Sequence, residues 1–197
     1  MRIKVGMKSK ITIIAFACLF FIVPTGCGSR DYSTTTIEFD KTGAVILNII
    51  EPFDTSKYDF NELCAMNEKE VSDYNGSSEK VTILSAELKD GKTDIRIHYA
   101  DDDAYYDLNK TVLFYGSVAN AKSAGYNLTG KVNSVDGTKV LMIGEWNEMN
   151  NEKVIIVSEP VDIVTPSKIM YVSEGCTVTG ANTITALEGD MRYIICQ

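Results

Sequence analysis

The longest apolar stretch of the chain lies close to its start, at Ile11–Val23, and Pro24 ends it. Residues 1–26 contain four basic residues, all before this stretch, and no acidic residue. A basic beginning, a short apolar run and small residues at its exit are typical of a secretory signal. The run is shorter than the about 20 residues that a membrane-spanning helix needs. The pattern therefore predicts that residues 1–26 are a signal peptide, absent from the mature protein.

Beyond this run, apolar and polar positions alternate most regularly on either side of Asp90-Gly91. Lys80–Lys89 and Lys92–Ala100 have the period of two that strands show. Asp-Gly is a strong signal for a two-residue type I′ turn, so the pattern predicts a β-hairpin. The register expected on its apolar face pairs Leu84 with Ile97, Ala86 with Ile95 and Thr82 with Tyr99. The opposite face of the second strand carries Asp94, Arg96 and His98.

The segment before this hairpin predicts another hairpin and one principal helix. Thr36–Phe39 and Ala44–Ile50 flank a turn that contains Gly43. The second of these strands has apolar residues at both its odd and its even positions, which indicates that both of its faces are buried. Asp59 is placed to cap a helix that ends at Asn75-Gly76. The helix has one apolar stripe, in which Asn67 is the single polar residue. The stripe consists of Phe60, Leu63, Cys64, Asn67, Val71 and Tyr74.

The rest of the chain is rich in strands. A short helix capped by Asp101 or Asp102, a strand at Thr111–Tyr115 and a short helix capped by Ser117 come first. Later strands are predicted at Lys131–Val135, Lys139–Ile143, Lys153–Ser158, Val161–Thr165, Lys168–Ser173, Asn182–Leu187 and Arg192–Cys196. Prolines bracket Val161–Thr165, which favours an edge position or a bend for that strand.

Together these elements predict an α+β fold built from antiparallel β-hairpins with one principal helix. The first half reads ββαββ, and the second half is β-rich. We expect residues 1–26 to be the signal peptide, 27–35 a small polar tether, and 36–197 a single α+β domain. A segment of about 160 residues is long enough to bury a sizeable core in one domain.

Removing the signal peptide makes the chain strongly acidic. The signal holds four of the 19 basic residues and none of the 27 acidic ones, so the remainder carries 15 against 27, a formal charge of −12. Such a surface repels phosphate backbones and anionic headgroups, which argues against nucleic acid as a partner. We therefore expect any attachment to a membrane to depend on lipid rather than on protein charge.

The exit of the signal resembles a bacterial lipobox, in which a cysteine is lipidated before the signal peptide is cut off. A small residue, Gly26, precedes Cys27, and Gly28-Ser29 follows it, although Pro24 stands where an aliphatic residue is usual. The resemblance implies a diacylglycerol thioether and an amide-linked acyl chain such as palmitate on Cys27, and two or more chains hold a protein stably on a membrane. Cleavage at Cys18 is rejected because it would leave an exposed apolar tail.

The wider pattern resembles the small surface lipoproteins of anaerobic Gram-positive bacteria. That resemblance rests on the leader and implies a location at the cell membrane, on its extracytoplasmic face, without implying an activity. Three cysteines remain in the mature chain: Cys64, Cys176 and Cys196. A disulfide between Cys176 and Cys196 is one alternative, and three buried thiols, which a reducing habitat would permit, are the other and the favoured one.

No residue pattern identifies a catalytic centre, so no catalytic residue is predicted. His98 is the only histidine and falls on the polar face of a predicted strand. No Walker loop, dinucleotide fingerprint or Cys/His cluster predicts a cofactor or a metal site. Asp101-Asp102-Asp103 with Asp107 could attract calcium, but the EF-hand spacing is missing and a helix start explains the same acids.

Aromatic side chains offer the remaining binding chemistry, because rings can stack on sugars or pack against a protein partner. The candidate ligand-binding residues are Tyr105, Tyr106 and Trp146, with Tyr115 and Tyr126 as further rings. The leading hypothesis is a non-enzymatic, membrane-anchored binding or interaction module for an extracellular polysaccharide or protein. The alternatives are a carboxylate-dependent surface hydrolase and an accessory or structural subunit of an envelope complex.

Lipid attachment at Cys27 is directly testable. Cys27→Ala should move the protein from the membrane fraction to the soluble or secreted fraction, because the thioether that carries the acyl chains cannot form. Cell fractionation with immunoblotting measures this, and Cys18→Ala serves as the matched control that should stay membrane-bound. A Cys27→Ala protein that remains in the membrane fraction to the same extent would contradict the lipobox assignment.

Overall fold

The computed structural model describes residues 32–128, 130–142 and 144–197, and residues 32–197 form one compact unit. The predicted signal peptide and Cys27 lie outside the described residues. The described part has an α+β fold dominated by β-sheet, as the sequence predicts. Part of the expected tether, residues 27–35, is attached to this fold. The Thr34 hydroxyl donates to Asp162 Oδ2 at 2.6 Å, and the Thr35 hydroxyl donates to Glu51 Oε1 at 3.0 Å.

Thirteen strands and three α-helices are present in the described residues. The first half contains β1 (Thr36–Phe39), β2 (Val45–Pro52), α1 (Phe60–Asn75), β3 (Val81–Lys89), β4 (Lys92–Tyr99) and α2 (Asp102–Asn109). The second half contains β5 (Leu113–Ser117), α3 (Val118–Ser123), β6 (Val132–Ser134), β7 (Val140–Leu141), a 3₁₀ helix (Glu145–Met149), β8 (Lys153–Val157), β9 (Val161–Val164), β10 (Ile169–Ser173), β11 (Cys176–Gly180), β12 (Thr183–Ala186) and β13 (Arg192–Cys196). Of these, β11 is missing from the predicted strands, although its β-branched Thr177, Val178 and Thr179 favour a strand.

The strands form two sheets. The large sheet has seven strands in the order β11-β12-β9-β1-β2-β4-β3, and the small sheet has six in the order β5-β8-β13-β10-β6-β7. Strands β1 and β9 run parallel, and the other paired strands are antiparallel. Buried side chains from both sheets join in one cluster, so the inner faces pack against each other as in a β-sandwich.

A second apolar cluster covers the outer face of the small sheet. Val154 and Ile156 of β8 point to it, whereas Ile155 and Val157 point to the core between the sheets. Helix α3 and the 3₁₀ helix supply the cover through Val118, Ala121 and Trp146. Because β8 is buried on both faces, its sequence is a continuous apolar run rather than an alternation.

Helix α1 lies at the edge of the large sheet and packs on β3. Its predicted stripe is confirmed: the six stripe residues are half-buried, whereas most of the helix is exposed. The Asp59 carboxylate accepts a hydrogen bond from the Asn61 N–H at 2.8 Å and so caps the helix start. Gly76, with φ at 51°, ends it.

The strand between the two prolines does not lie at an edge. β9 (Val161–Val164) sits inside the large sheet, between β12 and the parallel strand β1. The edge position predicted from Pro160 and Pro166 is therefore wrong, whereas the alternative, a bend, stays a prediction. Both prolines fall just outside the strand, where the absent N–H removes no hydrogen bond of the sheet. The two prolines therefore indicate where the strand ends, but they do not indicate which strands pair with it.

The hairpin at Asp90-Gly91 is confirmed, with one difference in register. Both turn residues have positive φ, as a type I′ turn requires. Ala86 pairs with Ile95 as predicted, but the register shifts between Ile83 and Ser85, so that Ile83 rather than Leu84 pairs with Ile97. Leu84 is the extra residue of this bulge, and its side chain is 47% exposed. Beyond the bulge, Tyr99 pairs with Val81 instead of Thr82.

The three cysteines of the described part are free thiols, as in the favoured alternative, but only Cys196 is buried, and Cys64 and Cys176 are half-buried. Burial raises the pKa of Cys196 to about 12, and burial also raises the pKa of Cys176. Burial and the nearby Glu68 carboxylate raise the pKa of Cys64. A thiol with a raised pKa forms little thiolate at neutral pH, so these cysteines act as small apolar residues rather than nucleophiles.

The bulge predicts unequal costs for two truncations of the same hairpin. Ile97→Ala should lower the free energy of unfolding by about 2–5 kcal/mol, because it opens a cavity in the core. Leu84→Ala should cost less than about 1 kcal/mol, because the bulged side chain is already half in solvent. Urea denaturation followed by circular dichroism measures both values. Equal losses would show that Leu84 faces the core and that the strand has no bulge.

Candidate functional site

An open groove lies where α2 and α3 meet the free edge of the small sheet. We call it the aromatic groove; it encloses about 500 Å³. Strand β5 forms its floor, and the first turn of α2 forms one wall. Its polar and aromatic lining consists of Asp102, Asp103, Tyr106, Phe114, Tyr115, Asn120 and Tyr126. A groove of this size matches the about 300–1,000 Å³ of pockets that hold small molecules.

The start of helix α2 determines which side chains form the wall of the aromatic groove. Asp101 caps the helix, its carboxylate accepting from the Ala104 N–H at 2.7 Å. The helical period then separates two sets of side chains: Ala104 and Tyr105 are buried in the core, and Asp102, Asp103 and Tyr106 line the groove. The predicted cap at Asp101 or Asp102 is thus resolved in favour of Asp101.

Asp102 fixes the floor of the groove. Its Oδ2 accepts a hydrogen bond from the Tyr115 backbone N–H at 2.8 Å. This N–H is on the unpaired edge of β5, because β5 is the last strand of the small sheet. The carboxylate therefore satisfies a donor that an open sheet edge would leave free. Burial raises the pKa of Asp102 above its ordinary value, although the hydrogen bond from Tyr115 opposes that shift.

The aromatic side of the groove depends on a close backbone approach. The Phe114 and Tyr126 rings pack with their centroids 5.0 Å apart. A Cβ atom at Gly116 would lie 2.6 Å from Cζ of Phe114, so only glycine leaves room for this ring. Burial raises the pKa of Tyr126, and the nearby Asp102 and Asp103 carboxylates raise it further.

The next residues of the chain place Asn120 at the rim. Ser117 caps α3, as predicted, and its hydroxyl accepts from the Asn120 N–H at 3.0 Å. The Asn120 side chain is exposed and lines the groove. Because an amide both donates and accepts, Asn120 adds a donor to a lining that otherwise consists of carboxylates, phenols and apolar groups.

A second cavity of about 690 Å³ adjoins the aromatic groove. The two share Ala124 and Tyr126, so Tyr126 stands between them. The far side of this second cavity is formed by Asp190, Met191 and Tyr193. The Tyr193 hydroxyl donates to the Asn127 carbonyl at 3.2 Å. Its ring packs edge-on against Trp146, with centroids 5.6 Å apart.

The three rings predicted to bind a ligand do not lie together. Tyr106 is 48% exposed and lines the aromatic groove, as expected of a stacking ring. Tyr105 is only 1% exposed, and its hydroxyl donates to Glu159 Oε1 at 2.6 Å. Trp146 is fully buried in the cluster on the small sheet. The expectation for Tyr105 and Trp146 is therefore corrected: both are core residues that a ligand in solvent cannot reach.

Other candidate residues have structural roles. His98 lies on the polar outer face of the large sheet, as predicted; its partners on the neighbouring strands are Ile46 and, because of the bulge, Thr82 instead of the expected Ile83. Asp107 accepts from the Tyr74 hydroxyl at 3.2 Å, so it is engaged like Asp101 and Asp102. Within residues 32–128, 130–142 and 144–197, no group of three or more His, Cys, Asp or Glu side chains lies close enough together to hold a metal ion.

Sequence reasoning missed Phe114, Asn120 and Tyr193 as parts of the site. The signal for Phe114 is its position in β5, where it alternates with the buried Leu113 and precedes Gly116. Asn120 and Tyr193 carry no local signal. They reach the site only through the packing of α3 and β13 on the small sheet.

Comparison with known proteins adds no functional information, since no protein family, curated protein or solved structure matches the chain. In the part of the chain that the structure describes, no helix has the length and apolar character needed to cross a membrane.

The role of Asp102 predicts a difference between two substitutions. Asp102→Asn keeps an oxygen that accepts from the Tyr115 N–H, whereas Asp102→Ala leaves this N–H without its protein partner. At neutral pH we expect Asp102→Ala to be less stable than Asp102→Asn by about 1 kcal/mol. Urea denaturation of the two variants measures this, and equal stabilities would show that the hydrogen bond to β5 contributes nothing.

The same carboxyl predicts a dependence on pH. The pKa of Asp102 is raised above its ordinary value of 3.8 in the folded state. The carboxyl therefore contributes most to the free energy of unfolding below pH 3.8, and this contribution declines as the pH rises through the folded-state pKa. The stability of the wild type relative to Asp102→Asn should therefore fall with rising pH over this acidic range. A difference that stays constant, or that increases with pH, would contradict the raised pKa.

Proposed function

We propose that this protein is a lipid-anchored binding module on the extracytoplasmic face of the cell membrane. The support for anchoring is the leader, with its basic start, its apolar run and Cys27 in a lipobox-like setting. The acidic charge of the mature chain fits this proposal, because attachment to anionic headgroups would be unfavourable without lipid. On this view the lipid holds the fold at the membrane and leaves its groove open to ligands outside the cell.

The aromatic groove is the proposed ligand site, and the exposure of Tyr106 is the observation that supports this assignment most. A tyrosine that is 48% exposed beside the half-buried rings of Phe114 and Tyr126 leaves apolar surface in contact with water. Covering that surface with a ligand is favourable by roughly 25 cal/mol per Å² buried. The exposed Asp103 and Asn120 provide hydrogen-bonding groups beside the rings.

We further propose that the module is not an enzyme. The only histidine lies on the large sheet, away from β5, and the described thiols have raised pKa values. Asp102 is engaged by the Tyr115 N–H. The second candidate is a carboxylate-dependent hydrolase, which is favoured by one observation: Asp102 and Asp103 both line the groove, and burial raises the pKa of Asp102. A raised carboxyl pKa is a property of general acids.

Ligand binding in the groove can be tested by thermal stabilisation. A ligand that binds only the folded state raises the melting temperature, by an amount that grows with its concentration relative to Kd. Against a panel of soluble sugars, peptides and amino acids, stabilisation of the full-length protein should be lost in Tyr106→Ala and Tyr126→Ala. Tyr58→Ala is the matched control, since Tyr58 is 66% exposed and does not line the groove. Equal stabilisation of all variants would place the site elsewhere.

The same preparation distinguishes binding from catalysis. We expect no turnover of chromogenic glycosides, peptides or esters by the purified protein. Turnover that disappears in Asp102→Asn or Asp103→Asn, with the fold intact by circular dichroism, would establish the hydrolase instead. In that case the groove would still be the functional site, but its acids would act on the ligand rather than hold it.

A further inference from the structure

We propose that the groove and the second cavity together bind an extended, uncharged glycan chain that crosses Tyr126. This inference rests on the proposed function and names its ligand class. The two cavities adjoin each other, since both are lined by Ala124 and Tyr126, so one elongated ligand can occupy both. Each cavity has the size of a small-molecule pocket, so the two together have room for several linked sugar rings.

The aromatic lining of the two cavities supports a chain of sugar rings as the ligand. Tyr106 and Phe114 line the first cavity, Tyr126 borders both, and Tyr193 lines the second. Each cavity thus has at least two aromatic side chains in its lining, so a ligand that spans both cavities can contact several rings. Apolar ring faces of this kind bind the C–H faces of sugars, while the sugar hydroxyls turn to polar groups at the rim.

Charge and hydrogen bonding select against other ligands. Among the described residues that line the two cavities, none is Lys, Arg or His, whereas Asp102, Asp103 and Asp190 are acidic. A phosphorylated or carboxylated ligand would meet these carboxylates without a compensating cation and would be repelled. The lining is rich in acceptors, so it fits a ligand with many hydroxyl or amide donors.

An extended peptide is disfavoured for a separate reason. Peptides often bind by adding a strand to an open sheet edge, where backbone donors and acceptors are free. The floor of the groove is such an edge, the edge of β5, but the Tyr115 N–H is already bonded to Asp102. With that donor occupied, recognition falls to rings and side chains rather than to backbone pairing.

The protein carries a built-in reporter for this proposal. Trp146 is the only tryptophan, and its ring packs edge-on against Tyr193 at 5.6 Å. A ligand that contacts only the aromatic groove would leave Tyr193 undisturbed. A chain long enough to cross Tyr126 would cover Tyr193 and change the fluorescence of Trp146.

The test is a titration of full-length protein, in a detergent without a sugar headgroup, with neutral and N-acetylated oligosaccharides from monomer to hexamer. We expect affinity to rise at least about tenfold from dimer to hexamer, and the Trp146 fluorescence change to be seen only with the longer members. Tyr126→Ala and Tyr193→Ala should each weaken hexamer binding by about tenfold or more. Tyr193→Ala should leave the weaker binding of the dimer unchanged, and Tyr58→Ala should affect neither.

Three results would overturn this inference. The first is equal affinity for the monomer and the hexamer. The second is binding of a lysine-rich decapeptide or a polyanion in place of the oligosaccharides. The third is that no oligosaccharide in the series binds. If other ligands still stabilise the protein through Tyr106 and Tyr126, the proposed binding function stands and only the glycan assignment fails. If no ligand does so, both fail.

Discussion

Burial of the small sheet on both faces is the constraint from which the rest of the structure follows. Residues Val154–Val157 of β8 are fully buried, so each face of the sheet must be covered by something apolar. The large sheet covers one face through the common core, and α3 with the 3₁₀ helix covers the other. Trp146 belongs to that second cover, which explains why the only tryptophan is structural rather than a ligand-binding ring.

The aromatic groove forms where the helical cover of the small sheet ends, at the edge strand β5. Helix α3 covers the outer face of β5 and β8, and the open edge of β5 is closed by the start of α2, through the bond from the Tyr115 N–H to Asp102. The space between the two helices remains open, with the Phe114 and Tyr126 rings as its walls. Because β5 is paired with a fully buried strand, the Phe114 ring is held on a rigid floor and the Tyr126 ring packs against it, which suits a site that binds without rearrangement.

Local patterns in the sequence were sufficient for elements whose environment is simple. The alternation in β4 gave its buried and polar faces, and the stripe of α1 gave the face that packs on β3. No local signal marks the bulge at Leu84, even though β3 and β4 are consecutive strands of one hairpin. The central place of β9 beside β1 was also beyond such patterns, because it depends on a strand that is remote in the chain.

The candidate site shows the same limit. Tyr105 and Tyr106 are adjacent and chemically identical, and only the rotation of α2 against the core decides that one is buried and the other exposed. The proposed site also needs Asn120 in the groove and Tyr193 in the second cavity, which are 73 residues apart in the chain and are brought near each other by the small sheet. Aromatic composition can therefore suggest a binding protein, but the choice of rings follows from tertiary packing.

The most direct test of this account is to map a bound oligosaccharide onto the backbone by NMR. With a neutral hexamer, we expect the amide signals of Tyr106, Phe114, Tyr126 and Tyr193 to shift together and to saturate at one common affinity. Signals from the polar outer face of the large sheet, such as those of Arg96 and His98, should stay in place. Shifts confined to that face, with the groove unchanged, would contradict the account.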